Sequence, residues 1–436
     1  MKKIHFVGIG GIGLSALAKY LKAEGYEITG SDIIATRITA GLHKEGIDVV
    51  IPHHESCITN QDMVIYSAVI KADNVELVEA RKKGIQVLSR REALLFILKD
   101  KRVFSVCGAH GKSTTSAMLA SIIDGSVIIG AESKQYGANM FYQEGESVIF
   151  EADESDESFL NSNPYIAVVT NAEPEHMEFY EYDYERFYGA YRKFLQSAKI
   201  RVINAEDEFL STLEDLEATR LYPSVDITEI ETVMREGEPY TSFILKDLGR
   251  FEVWGIGAHM AVDAALAILA SLHEMGVESI REKLKNYKGI KKRFDVLQST
   301  KSFALIDDYA HHPTEIKATL SSAKTYASLL GFKKIIAIWQ PHKYSRTIDN
   351  LEAFVKCFEG VDELIILPVW RAGEKEQVID FEKEFARYNP LFSTRIHRID
   401  DSIIIDAKNS GKKVYDTGLV IGFGAGDITY QLRGLL

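Results

Sequence analysis

At 436 residues the chain exceeds what one hydrophobic core holds, and 46% apolar with 26% charged residues is the composition of a globular protein of two or three domains. The formal net charge of −12 argues against a dedicated binder of nucleic acid or anionic membranes. Small anionic ligands stay open to it, because a few backbone N–H groups and cations hold those locally. Three widely spaced cysteines, Cys57, Cys107 and Cys357, form neither a disulfide framework nor a zinc pattern and suit a reducing, cytoplasmic compartment.

The start, Met1-Lys2-Lys3 before an apolar run and Ala16-Leu17-Ala18, superficially resembles an export signal. His5 interrupts that run, and Gly8, Gly10, Gly11 and Gly13 have no use in an export helix. No stretch offers the roughly 18 consecutive apolar residues of a membrane span, so no membrane partner is expected.

In chain order, Ile4–Ile9 reads as a buried strand, Ile12–Glu24 as an amphipathic helix and Tyr26–Thr29 as a second strand ending at Ser31-Asp32. A strand at Met63–Ile70, a helix near Asn74–Lys83 and a strand at Gln86–Leu88 follow. Strands alternating with helices predict a doubly wound parallel sheet. Gly8-Ile9-Gly10-Gly11-Ile12-Gly13 fits G-x-G-x-x-G between strand and helix, where a diphosphate rests on the helix N-terminus, and Asp32 stands where a ribose-binding acid is expected. The motif serves NAD and a UDP-sugar equally well.

After a basic junction near Lys99–Arg102, a strand at Val103–Val106 leads into Gly108-Ala109-His110-Gly111-Lys112-Ser113-Thr114 and a helix from Lys112. The usual phosphate loop has a glycine where Val106 stands, so this one is short, but its chemistry is complete. Backbone N–H groups wrap phosphate oxygens, Lys112 is a point charge for the outer phosphates, and Ser113 offers a hydroxyl to Mg²⁺. Strands at Val148–Phe150 and Ile166–Thr170 end in Glu151-Ala152-Asp153-Glu154-Ser155-Asp156 and in Asn171 through His176. Nucleotide-bound Mg²⁺ needs one or two carboxylates, and the carboxyl ends of such strands are where ligands bind. A helix at Ala261–Met275 and the basic stretch Lys288–Arg293 close this unit. Strands at Phe303–Ile306, Lys334–Trp339, Glu363–Leu367 and Lys413–Tyr415 alternate with helices to the end.

This ordered set resembles the Mur ligase family: the glycine fingerprint, the short GxHGK[ST]T loop, EADESD and the asparagine–histidine turn. The resemblance implies three consecutive α/β domains: a Rossmann-like N-terminal domain at 1–99 for a UDP-substrate, a P-loop-type central ATPase domain at 100–293, and a Rossmann-like C-terminal domain at 294–436 for an amino acid. Asp307-Asp308-Tyr309-Ala310-His311-His312-Pro313-Thr314-Glu315, Gln340-Pro341-His342-Lys343-Tyr344-Ser345-Arg346-Thr347 and Gly424-Ala425-Gly426-Asp427-Ile428 are similar to segments of the alanine-adding branch. That branch joins L-alanine to the lactyl carboxylate of UDP-N-acetylmuramate through an acyl phosphate, using ATP and Mg²⁺, for which Mn²⁺ can substitute. A cytoplasmic monomer or weak dimer without nucleic-acid partners is expected.

Carried over residue by residue, the resemblance assigns Gly8, Gly10, Gly11, Ile12, Gly13, Ser31, Asp32 and Ser67 to the UDP-substrate. It assigns Gly108, Ala109, His110, Gly111, Lys112, Ser113, Thr114, His259, Arg293 and Asp308 to ATP. Ser113, Glu151 and His176 would hold the metal; Lys112, Glu151, His176, Asn139 and Arg293 would act in catalysis; Tyr309, His312 and Arg346 would take the amino acid. Arg346 suits a carboxylate because its guanidinium donates a planar pair of hydrogen bonds. The chain departs from the family in Gly257-Ala258-His259-Met260-Ala261-Val262-Asp263-Ala264, where Met260 and Asp263 replace adenine-reading asparagines, and in Lys343, which replaces an arginine. Ionised aspartate can only accept a hydrogen bond and methionine offers a weak acceptor, so adenine recognition is expected to rest on His259 or backbone groups. Three alternatives stay open at this level: a tripeptide-recycling ligase of the same family, a nicotinamide-dependent oxidoreductase built on the first glycine loop, and a catalytically silent nucleotide binder.

Overall fold

A computed structural model describes residues 2–175, 177–408 and 411–436. The chain forms two compact units: Met1–Glu231 with Thr241–Trp254 and Ala258–Lys288, and Thr232–Tyr240 with Gly255–Gly257 and Gly289–Leu436.

The first unit holds two sheets of doubly wound type. The N-terminal one is five-stranded and parallel, in the order Asp48–Val50, Glu27–Ser31, Lys3–Val7, Met63–Tyr66, Gln86–Ser89. Its first strand, Lys-Ile-His-Phe-Val, is buried from Ile4 onward, as an apolar run covered on both faces should be. Helix Ile12–Ala23 presents Leu14, Leu17, Ala18 and Leu21 to that sheet and stops at Glu24-Gly25. The strand order reverses beside Lys3–Val7, so the crevice of this sheet opens over the glycine loop.

The central sheet is seven-stranded: Thr219–Leu221, Ile200–Asn204, Pro164–Val169, Arg102–Cys107, Ser147–Glu151, Ser126–Ser133, Ala138–Phe141. All its neighbours run parallel except the last pair. Helix Lys112–Ile122 packs between this sheet and helix Ala258–Ser271, whose Ala- and Leu-rich sequence is buried from Met260 to Ser271 apart from Val262. Each large apolar side chain removed from water there contributes about 1.5–3 kcal/mol, which anchors the phosphate loop at the mouth of a rigid layer.

The second unit contains an eight-stranded sheet in the order Asp295–Ser299, Phe303–Asp308, Gly418–Phe423, Ile335–Trp339, Glu363–Ile366, Leu391–Ile399, Ser402–Ala407, Gly411–Tyr415. Trp339 is fully buried against Phe354, Phe358, Phe381 and Phe385. Here the expected alternation of strand and helix fails in part. Ser402–Ala407 pairs antiparallel with both Leu391–Ile399 and Gly411–Tyr415, so Lys413–Tyr415 sits in an edge meander. The central strand Gly418–Phe423 and the three-stranded sheet Ile227–Arg235, Glu238–Leu245, Arg250–Trp254 escape a sequence reading. The first is a short apolar run between glycines, without the period that separates strand from helix.

Among the described residues no helix is long and apolar enough to cross a membrane.

Candidate nucleotide and substrate sites

The phosphate loop turns at Gly111, whose φ of +80° is a left-handed conformation and whose α-carbon is pressed on Asp263: a Cβ there would lie 2.5 Å from Asp263 Oδ1. Gly111 caps helix Lys112–Ile122 without any side-chain hydrogen bond. The first-turn N–H groups of that helix are thus not spent on a side-chain cap, the condition for an anion site. The Ser113 hydroxyl donates to Glu151 Oε1 at 2.9 Å, and Gly130 N donates to Glu151 Oε2 at 2.7 Å. Two hard oxygen donors therefore converge beside the loop. That fits Mg²⁺, which takes few protein ligands and keeps waters and phosphate oxygens for the rest.

Lys112 is turned inward. Its ammonium donates to Gly108 O at 2.5 Å, Ala109 O at 3.2 Å and Glu154 Oε1 at 3.0 Å, which uses all three of its donors. Glu154 is 1% exposed and its Oε2 has no partner among the described residues. Burial raises its pKa, and the neighbouring Lys112 opposes that rise only in part. Burial would depress the Lys112 pKa, but Glu154 and the other acids nearby outweigh it and raise the value. Glu173 and Glu175 lie 3.6 and 3.5 Å from His110 Nε2. Asn171 braces the loop from the next strand, accepting from His110 N and donating to His110 O, each at 3.0 Å. With Glu151, Glu154, Glu173, Glu175 and Asp263 around it, the loop is acidic as well as donor-rich. A triphosphate settling there needs a divalent cation to offset that charge.

The glycine loop of the first sheet is stitched to Asp32, whose Oδ2 accepts from Gly10 N at 2.8 Å and whose Oδ1 accepts from Ile33 N at 2.7 Å. Asp32 thus shapes the loop with one of the oxygens a ribose would need. Ser67 continues the chain after strand Met63–Tyr66, its N–H donating to Val7 O at 3.0 Å beside Gly8. Ser31 lies under the crevice, donating to Glu76 Oε2 at 2.5 Å and standing 2.8 Å from His53 Nδ1. Glu76 is fully buried; burial alone would raise its pKa, but His5, Ser31 and the His54 N–H hold it below the usual range. Asn139 Nδ2 donates to Ile12 O at 3.0 Å, so the structure joins Asn139 to the glycine loop.

In the second unit Arg293 lies between Lys292 and Phe294, at φ values of 63° and 42°, strained for non-glycine residues at about 1–3 kcal/mol each. What holds that turn is Asp308, whose Oδ2 accepts from Phe294 N at 2.7 Å and whose Oδ1 accepts from Ala310 N at 2.8 Å, while Tyr309 N donates to Lys292 O at 2.7 Å. Burial lifts the Asp308 pKa to about 6 against those bonds. Arg346 Nη1 donates to His342 Nδ1 at 3.0 Å, and the rings of Tyr309, His311 and His342 stack edge-on in sequence, 5.2 and 5.7 Å apart. Burial, reinforced by His311, Arg346 and Lys343, lowers the His342 pKa to about 4. Glu315 Oε2 accepts from the N–H groups of His311 and His312 at 3.0 and 3.1 Å, fixing the start of helix Pro313–Leu330.

Three family models match in chain order: the Mur ligase family catalytic domain over residues 3–102, the Mur ligase middle domain over 106–231, and the Mur ligase glutamate ligase domain over 292–409. The chain belongs to the Mur ligase family. It is 61% identical over 434 residues, all of both chains, to the UDP-N-acetylmuramate–L-alanine ligase of Campylobacter curvus. It is 54% identical to the protein of that name from Helicobacter pylori, over 99% of this chain and 96% of that one. Its structure superposes on the UDP-N-acetylmuramate–alanine ligase of Thermotoga maritima with a TM-score of 0.80 at 28% identity, over 100% of this chain and 98% of that one.

In this Mur ligase the structure brings together Gly108 to Thr114, Lys112, Ser113 and Glu151 around one loop, as the motifs imply. It also brings Tyr309, Arg346 and the strained Arg293 turn into one unit, with His312 at the head of the adjoining helix. His176 lies outside the described residues. His259 is exposed at the start of helix Ala258–Ser271, whereas Met260 is buried in it and fills core. A motif reading passes over Glu154, His311 and His342. All three sit inside quoted segments, but which acid or imidazole of a run faces inward is a question of backbone geometry.

Proposed function

We propose that this Mur ligase joins L-alanine to the lactyl carboxylate of UDP-N-acetylmuramate at the expense of ATP, as a cytoplasmic step of peptidoglycan precursor synthesis. One observation carries the reading. A Gly-Lys-Ser loop has its serine hydroxyl 2.9 Å from a strand-end carboxylate, Glu151, in a chain 61% identical to a ligase of that name. On this reading 1–99 hold the UDP-substrate, 100–293 the nucleotide and 294–436 the amino acid.

A carboxylate and an amine do not condense in water, so the carboxylate is activated first. Its oxygen attacks the γ-phosphorus of ATP, ADP leaves, and an acyl phosphate results. The alanine amine then attacks the acyl carbon, and phosphate departs from the tetrahedral adduct. Catalysis of such transfers is mostly positioning and charge stabilisation. The N–H groups from Gly108 to Thr114 cradle the phosphates, and Lys112 leaves its loop carbonyls to meet the outer ones. Ser113, Glu151 and His176 would hold Mg²⁺ (or Mn²⁺), which would supply positive charge to offset what builds during transfer. Asn139 and Arg293 add donors to the transferred group, with Asp308 holding Arg293's turn. His259 meets the adenine. Gly8, Gly10, Gly11, Ile12, Gly13, Ser31, Asp32 and Ser67 shape the UDP-substrate site. Arg346, kept extended by neutral His342, takes the alanine carboxylate, with Tyr309 and His312 beside it.

A coupled phosphate-release assay tests this directly. Release is expected only with ATP, Mg²⁺, UDP-N-acetylmuramate and L-alanine together. Turnover with L-alanyl-γ-D-glutamyl-diaminopimelate in place of L-alanine would move the assignment to peptide recycling, and release without any amine would overturn it.

A further inference from the structure

Arg90 is the first residue of helix Arg90–Ile97, and its guanidinium lies flat against Gly13 of the glycine loop. The position a Cβ on Gly13 would take is 3.4 Å from Arg90 Cζ, 3.5 Å from Nε and 3.6 Å from Nη2. The side chain is 20% exposed, and its Nε is wholly buried with no hydrogen-bond partner among the described residues. Its nearest charges are Asp153 Oδ2 and Asp156 Oδ2, each 3.9 Å from Nη1, beyond hydrogen-bonding range. Those two acids are held in their own turns, Asp153 Oδ1 accepting from Ser155 N and Asp156 Oδ1 from Ser158 N, each at 3.0 Å.

Two further facts make this more than a packing contact. Helix Arg90–Ile97 is already docked on the acidic segment by its next residue. Arg91 Nη1 donates to Glu157 Oε2 at 3.1 Å, and Asn161 Nδ2 donates to Arg91 O at 2.8 Å. Arg90 is not needed for that. Moreover, Gly13 is in the first turn of helix Ile12–Ala23, which has no acidic residue there and no side-chain cap. A guanidinium beside a helix N-terminus repels it, because both are positive. A mostly buried arginine there has two carboxylates at ion-pair distance but an Nε without a hydrogen-bond partner among the described residues, and a phosphate oxygen between guanidinium and helix N-terminus would satisfy both.

We infer that Arg90 is a ligand for the diphosphate of the nucleotide-sugar substrate, held in reserve by Asp153 and Asp156 until that anion arrives. The inference rests on the reading of the glycine loop as the UDP-substrate site. It gives Arg90 two competing sets of partners, the substrate anion and the acids that follow Glu151. Weakening the acids therefore strengthens the substrate, a sign that a purely structural arginine does not give.

The test is calorimetric titration of the full chain with UDP-N-acetylmuramate and with UDP alone, without ATP. Arg90→Ala is expected to weaken both at least about tenfold, and Arg90→Lys less, since it keeps charge but loses the planar fork. Asp156→Asn is expected to tighten both about threefold. All three variants should bind Mg²⁺ with a non-hydrolysable ATP analogue within about twofold of wild type. Arg90→Ala binding UDP-N-acetylmuramate as wild type does, or Asp156→Asn weakening it, overturns the inference; should Arg90→Ala misfold, Arg90→Lys and Asp156→Asn carry the same test. If the wild-type chain binds neither ligand, the substrate reading falls first and the role of Arg90 with it.

Discussion

Replacing Lys112 by alanine should damage this Mur ligase twice, and the two injuries can be separated. The first is catalytic. Hydrogen bonds to charged groups contribute about 1.5–3 kcal/mol, and about 1.36 kcal/mol is tenfold in rate, so the loss of Lys112 should slow turnover at least about tenfold to a hundredfold. The second is structural. Among the described residues Lys112 is the side-chain hydrogen-bond partner of Glu154, which is 1% exposed and has one oxygen without a partner among those residues. Removing one member of a buried pair costs about 3–5 kcal/mol. For a unit of this size about 1 kcal/mol moves the melting midpoint by about 2–4 °C, so a drop of about 6–20 °C is expected. The pH dependence has a defined sign. Burial raises the Glu154 pKa in the folded state, so folding favours its protonated form. Without Lys112 the penalty of the bare carboxylate should therefore grow as pH rises above the ordinary glutamate value and shrink as pH falls towards it. Adding Glu154→Gln should restore the melting midpoint and flatten that dependence while leaving turnover lost. Differential scanning calorimetry across pH, beside the phosphate-release assay, reads both. A Lys112→Ala protein that melts with wild type, or a double variant that regains activity, would refute the reasoning.

Asp263 presses its carboxylate on Gly111, where the triphosphate arrives, so Asp263→Asn should bind the ATP analogue at least as tightly, up to about tenfold tighter. A clear loss in calorimetry would count against Asp263 as a repulsive neighbour. His342 has a folded pKa of about 4, so its neutral form stabilises the second unit fully above the ordinary histidine value. That share is lost as pH falls from about 6.5 towards 4, and His342→Gln should flatten the melting profile in that window. Arg433 donates to Asp295 and Asp307, with Nε to Asp307 Oδ2 at 3.1 Å, and both acids are buried. Arg433→Met should cost the second unit about 3–5 kcal/mol, and Asp307→Asn in the same chain should recover part of it; an unchanged unfolding midpoint would show the network to be dispensable.

What could be read without coordinates was whatever leaves a residue signature. The Gly-x-Gly and Gly-Lys-Ser turns demand glycines at left-handed or closely approached positions, and both stand at strand–helix junctions as expected. Glu151 was legible because it ends a strand beside the loop. Glu154 was not, since nothing in Glu-Ala-Asp-Glu-Ser-Asp says that its fourth residue turns inward to Lys112 while Glu151 meets Ser113. Asp32 is legible as a candidate ribose ligand from its place at the end of the second strand, but the bond by which its Oδ2 holds Gly10 N of the glycine loop is not. In the second unit the strained turn around Arg293 depends on a long-range bond from Phe294 N to Asp308, which no local pattern announces. Strand Gly418–Phe423 is central only because partners more than 80 residues away flank it, Phe303–Asp308 and Ile335–Trp339.

The central claim is that the Gly111-Lys112-Ser113 turn grips a nucleoside triphosphate beside a divalent cation. A crystal grown with Mn²⁺ and a non-hydrolysable ATP analogue, phased on the manganese anomalous signal, measures it directly. The metal is expected within about 2.0–2.4 Å of Ser113 Oγ or a Glu151 oxygen, bridging phosphate oxygens, with Lys112 swung from Gly108 O to the outer phosphates. Manganese and triphosphate bound away from Ser113 and Glu151, with Lys112 still closed on its own loop, would contradict it.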